Sequence, residues 1–338
     1  MRRSRLPSLL PGLSGLAGIA ALSLALAGCG PAGTDAVPGS GEADRVRIVA
    51  STNVYGDIAE VIGGDAVQVT SLIDSPAQDP HSYEATARDK LAVGEADLVI
   101  ENGGGYDPFL HALAEDTGKD HDAIITAADL FGPASAGSAE TGGAEASGQA
   151  HGEDHGADHA HGAFNEHVWY DLATVGKVAD AVAAKLQPLN PDHAGSFKQN
   201  AAAFHAGLAG LEADRAALAK EVSGEAVVAT DPVPLHLFEA LGLKNLTPED
   251  FLEAAEEGSD AAPTALKQTE DLAASKAVRF LAYNEQTEGA QTRQVRSAAE
   301  KAGTPVVNFS ETLPEGMHYL DWMKTNLENI AAAAGNAK

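Results

Sequence analysis

Four short segments of the chain carry side chains suited to a divalent cation, each in a turn or at the end of a strand. In Asp79-Pro80-His81-Ser82-Tyr83-Glu84, His81 follows a proline in the turn before a helix. In Asn165-Glu166-His167-Val168-Trp169-Tyr170-Asp171, His167 stands beside bulky residues able to fix its ring and exclude water. Asp231 ends the apolar run Ala226–Thr230 and precedes Pro232, and Glu311 follows the run Val306–Phe309. Each residue also has a plainer reading. His81 suits a solvated turn, His167 a cap on the next element, Asp231 a helix N-cap ahead of a proline, and Glu311 a solvated loop. Together they offer two neutral imidazoles and two carboxylates, which cancel the charge of a divalent cation. A filled site of this composition can close without burying net charge. Two carboxylates in an empty one repel each other, which favours closure on binding.

A second group of histidines has a different setting. His151, His155, His159 and His161 alternate with Glu153, Asp154 and Asp158 in a stretch of Ala, Gly, Ser and acidic residues, 131–163, that lacks apolar periodicity. Such a tract reads as a mobile loop. It offers auxiliary metal sites of weak, exchanging character for ions such as zinc, or serves as a solvated linker.

The elements that must position these residues alternate between strand and helix. From Val46 onward the pattern predicts strands at Val46–Ser51, Val67–Ile73 and Asp97–Glu101, with helices at Val54–Ile62 and Tyr83–Val93; a helix follows at Thr174–Leu186. Phe197, Phe204, Leu208, Leu211 and Leu218 fall at helical spacing in a proline-free stretch up to Val222. One helix of roughly 30 residues spans about 45 Å, longer than a small domain, and reads as a backbone joining two lobes. The rhythm then resumes with strands Ala226–Thr230, Val278–Tyr283 and Val306–Phe309 and helices Leu235–Leu241, Ala265–Ala274, Gln291–Ala302 and Tyr319–Ala334. The expected fold is α/β: two lobes with parallel sheets, the long helix between them, and a ligand cleft where strands end. The expected organisation is a leader at 1–28, a flexible tether at 29–44, a first lobe at 45–190, the linking helix at 191–222 and a second lobe at 223–338.

Arg2, Arg3 and Arg5 precede an apolar stretch ending in Leu26-Ala27-Gly28-Cys29, the layout of a secretory signal peptide. The small pair before the cysteine resembles the lipobox of bacterial lipoproteins, which implies acylation of Cys29. Pro11, Gly12, Ser14, Gly15 and Gly18 interrupt the stretch, against a membrane-spanning helix of ~20 apolar residues. Cys29 is the only cysteine in 338 residues, so neither disulfides nor thiolate metal sites are available. The net charge of −27 disfavours nucleic acid and anionic lipid as partners and concentrates cations.

Val49-Ala50-Ser51-Thr52-Asn53, the segments around His81 and His167, Ala96–Gly103 and Ser310-Glu311-Thr312-Leu313-Pro314 resemble the solute-binding lipoproteins of zinc and manganese ABC importers. The resemblance covers almost the whole chain beyond the leader and is most specific at Asp-Pro-His and His-Val-Trp. It implies a metal held between the lobes by His81, His167, Asp231 and Glu311. At the third place the family carries His or Glu, and counting back from Gly242-Leu243 reaches Asp231, with His236 as the competing choice. At the fourth the family carries Asp, and Ser310 and Glu315 flank the aligned Glu311.

The expected function is therefore capture of Zn²⁺ outside the membrane by a lipid-anchored monomer, and its delivery to the permease of an ABC importer. Mn²⁺ is the alternative cargo. The Irving–Williams order favours zinc at an N/O site, whereas two histidines with two carboxylates resemble the manganese members. A zinc hydrolase would need an open coordination position and a general base. No His-Glu-x-x-His pattern occurs, so an enzyme is not expected. An adhesin holding metal only structurally is a third reading, separated by metal binding that reverses without loss of fold.

Overall fold

The computed structural model describes residues 45–78, 80–132 and 164–336. Cys29 and the four loop histidines lie outside the described residues. Two four-stranded parallel sheets form the framework, the α/β two-lobe architecture expected. The first contains β1 (Val46–Thr52), β2 (Val67–Ile73), β3 (Leu98–Glu101) and β4 (Ile124–Thr126) in the order β2-β1-β3-β4. The second repeats that order with β5 (Ala226–Ala229), β6 (Lys244–Asn245), β7 (Leu281–Asn284) and β8 (Val306–Phe309), arranged β6-β5-β7-β8. All four residues of β3 and β7 are buried, as strands covered on both faces must be.

The helices are α1 (Asn53–Gly63), α2 (Ala87–Glu95), α3 (Pro108–Asp116), α4 (Leu172–Leu189), α5 (Ala194–Val222), α6 (Leu235–Leu241), α7 (Glu249–Glu256), α8 (Pro263–Ala273), α9 (Ala290–Ala302) and α10 (Tyr319–Asn336). The 29 residues of α5 bury Phe197, Ala201, Phe204, Leu208, Leu211, Leu218 and Val222, a stripe along one face in steps of three, four and seven residues. That stripe packs against α1, α4, α6 and α10. One apolar core therefore runs from Val46 and Ile48 of the first sheet through α5 to Phe309 and Ile330. Smaller cores cover the far face of each sheet, around Val49 and Leu113 in one and Val228 and Phe251 in the other.

The helix expected at Tyr83–Val93 begins later, at Ala87. Thr86 caps it reciprocally: its hydroxyl accepts from the Asp89 amide, and the Asp89 carboxylate accepts from the Thr86 amide at 2.7 Å. The Tyr83 hydroxyl donates to the same carboxylate at 3.0 Å. His81 consequently sits in a free-standing turn rather than against a helix start.

Candidate metal centre

The two sheets present their carboxyl-end loops to one another, and His81, His167 and Glu311 converge there. One ligand atom from each lies within 4.8 Å of the others. Three elements bring them together: the turn after β2, the segment before α4, and the loop after β8.

His167 offers a buried ring nitrogen to the space between these donors. Its side chain is fully buried, and Asn165 Oδ1 accepts from its backbone amide at 3.1 Å and from ring Nδ1 at 2.7 Å. That pair fixes the tautomer with the proton on Nδ1 and leaves the lone pair on Nε2. Nε2 has no hydrogen-bond partner among the described residues. A buried polar atom without a partner costs about 1–3 kcal/mol, a cost that coordination removes. Burial, then the neighbouring His81 and His236, hold the ring well below the usual imidazole range and therefore neutral. Trp169 and Tyr106 wall it at centroid distances of 5.1 and 5.7 Å.

Tyr106 owes its position to Gly103, Gly104 and Gly105, whose φ values of 71°, 68° and 104° lie in the left-handed region that side chains disfavour. A Cβ on Gly103 would come within 2.4 Å of Thr126. Asp107 closes this turn by accepting from the Asn102 and Gly103 amides at 2.7 and 2.8 Å. The Tyr106 ring then meets His81 edge-on at 5.1 Å, and its hydroxyl donates to Glu311 Oε2 at 3.1 Å.

Glu311 is held from the other sheet. Asn284 Nδ2 donates to its Oε1 at 2.7 Å, and Gln286 Oε1 accepts from its backbone amide at 2.6 Å. Its Oε2 lies 3.9 Å from His81 Nε2, and its side chain is fully buried.

Asp231 is buried at the edge of the cluster but belongs to neither group of converging donors among the described residues. Its carboxylate accepts from the Val233 amide at 3.0 Å and the Thr287 hydroxyl at 2.7 Å. Burial pushes its carboxyl up, against those hydrogen bonds and the pull of His81. His236 points elsewhere: its Nε2 donates to the Asn165 carbonyl at 2.8 Å, and its ring packs on Phe131 at 4.6 Å. Ser310 turns its hydroxyl back to the Thr312 carbonyl at 3.0 Å.

Two acids escaped the sequence reading. Glu166 and Glu256 form a second group with His81, again with one ligand atom each within 4.8 Å. Glu256 ends α7, its Oε1 lies 3.9 Å from His167 Nδ1, and that oxygen has no hydrogen-bond partner among the described residues. Burial, then Glu166, Asp231 and Glu311, push its carboxyl up to about 9. Four acids thus crowd the basin, and burial and repulsion keep Glu256 protonated there at neutral pH. Glu166 carried a sequence signal in its place beside His167, whereas Glu256 sits in an acidic run that reads as a solvated helix face.

Residues 48–333 match the family model "Zinc-uptake complex component A periplasmic". The manganese-binding lipoprotein MntA of Bacillus subtilis is 28% identical over 58% of this chain, and the match spans 56% of MntA's own length. The high-affinity zinc uptake system protein ZnuA of the same organism is 26% identical over 94% of this chain and 96% of its own length. Among solved structures, the periplasmic zinc binding protein TroA of Treponema pallidum superposes with a TM-score of 0.64 at 19% identity, covering 86% of this chain and 99% of TroA, and so shares the fold. With the family model spanning nearly all of both sheets, the chain belongs to the Zinc-uptake complex component A periplasmic family, whose name denotes an uptake component rather than an enzyme.

Proposed function

We propose that the protein captures Zn²⁺ outside the membrane and delivers it to the permease of an ABC importer, with Mn²⁺ as the alternative cargo. The observation that carries this reading is the convergence of His81, His167 and Glu311, with a neutral, buried His167 whose Nε2 has no partner among the described residues. We assign Asp231 as the fourth donor. The reading draws on the family match and on relatives named for zinc uptake and for manganese binding. A monomer tethered through an acylated Cys29, residues 29–44 as the tether, and lobes at 45–190 and 223–338 around the helix of 191–222 complete it. Among the described residues no helix is long and apolar enough to cross a membrane, in keeping with a lipid anchor. His151, His155, His159 and His161 are assigned weak auxiliary binding.

Zinc is preferred because an N/O site binds it more tightly than manganese at equal availability. Equilibrium dialysis of residues 30–338 against equal Zn²⁺ and Mn²⁺, followed by elemental analysis, tests the assignment. About one tightly held zinc per chain is expected, with manganese below roughly a tenth of that. Manganese in excess of zinc would make the protein a manganese carrier, and neither metal retained would overturn the function.

A further inference from the structure

His81 belongs to both groups of converging donors, and the two groups differ in depth. With His167 and Glu311 it forms an inner triad in which both partners have side-chain exposure of 0%. With Glu166 and Glu256 it forms an outer triad in which Glu256 is 15% exposed and His81 itself 19%. The two donors most open to solvent are therefore His81, shared by both groups, and Glu256. A hydrated cation cannot enter the inner triad without shedding water, because Tyr106, Trp169 and the loop after β8 close round it.

We propose that the outer triad is a separate capture station: the cargo ion is first held by Glu256, Glu166 and His81, and then moves inward, keeping His81 while His167 and Glu311 replace the two outer carboxylates. The idea rests on the metal-capture function proposed above. Three features of the geometry carry it. Glu256 is largely buried although its Oε1 has no hydrogen-bond partner among the described residues to account for that burial. The fully buried Nε2 of His167, unpartnered among the described residues, lies at the inner end, while Glu256 faces the opposite edge of the same ring, 3.9 Å from Nδ1. One shared ligand lets the ion exchange partners stepwise, never stripped of all donors at once, so no fully desolvated charge crosses the interior.

Stopped-flow mixing of the metal-free whole chain with Zn²⁺ tests the station. Trp169, whose ring is 5.1 Å from that of His167, reports arrival at the inner triad by its fluorescence. Glu256→Gln and Glu166→Gln are each expected to slow association about tenfold, because the amide keeps the shape but cannot supply the anionic oxygen donor that an arriving cation draws out. Glu257→Gln makes the same substitution at the neighbouring, exposed position and is expected to slow association less than about twofold, since solvent and salt screen that site. Equal rates in the Glu256 and Glu257 variants, whether both slow or both unchanged, would overturn the station. So would an accelerated release in Glu256→Gln with association unaltered, which would make Glu256 a ligand of the resident ion. Two variants guard against a single misfolded one, checked by circular dichroism. Absence of any zinc signal in the unsubstituted chain would instead count against metal capture itself.

Discussion

Replacing His167 by alanine is expected to weaken zinc binding by about two orders of magnitude, near 3 kcal/mol on the affinity scale. The ring is the most committed donor of the basin. Its proton is fixed on Nδ1 by Asn165, its Nε2 is buried and unpartnered among the described residues, and burial keeps it neutral. No other described side chain that offers nitrogen is placed to substitute, because His236 donates its Nε2 to the Asn165 carbonyl. Asn165→Ala should show the same dependence in weaker form. It leaves the ligand in place but frees its tautomer and orientation, a change that ordinarily costs ten- to a hundredfold in metal affinity. Competition titration with a zinc chelator measures both. A loss below about fivefold in His167→Ala would remove His167 from the ligand set.

The second large effect is expected at the third ligand place. Asp231→Ala should weaken zinc binding by roughly a hundredfold and His236→Ala by only a few-fold. Removing Asp231 deletes a buried negative charge that acts on His81, so the filled basin loses charge balance where water screens little. Asp231 also accepts from Val233 and Thr287 across the loop after β5, so its loss loosens the wall of the site. His236 contributes by packing on Phe131 and by steadying Asn165, both one step removed from the ion. Titration of the two variants in parallel decides the matter. Greater damage from His236→Ala would reassign the third place and give a three-histidine site.

Much of this arrangement was legible in the residues because strand ends and donors coincide. The bounds of β2 and β8, which lead to His81 and Glu311, are those the sequence predicts, since Val67–Ile73 and Val306–Phe309 are short runs rich in Val, Ile, Leu and Phe stopped by turn residues. The face of α5 followed from its three-, four- and seven-residue spacing of Phe and Leu. The elements that escaped are short or punctuated. β6 is two residues long and joins its sheet only through backbone pairing with Ala226 and Val227. α3 starts at Pro108, directly behind a triple-glycine turn that reads as loop. α7 carries four acids in eight residues, and only its tertiary packing shows that Phe251, Leu252 and Ala255 face inward. That packing turns the end of the helix toward His167, and with it Glu256. A local pattern holds no trace of a carboxylate buried by an element far away in sequence, so the outer acids needed the fold.

The alignment of Asp231 with the third ligand place illustrates the converse. Counting from Gly242 located a residue that the fold buries beside the basin, yet its side chain turns to Thr287 and Val233 and stays outside the converging groups. Residue type and position were readable, and rotamer was not, because the rotamer depends on a hydroxyl contributed by the loop after β7.

The most direct test of the account is the anomalous scattering of a zinc-loaded crystal, recorded on both sides of the zinc edge. The account predicts one strong peak between the two sheets, with His81 and His167 nitrogens at ~2.0–2.1 Å and Glu311 oxygen at ~2.0–2.2 Å. A strong peak elsewhere, or none in that basin at saturating zinc, would contradict it.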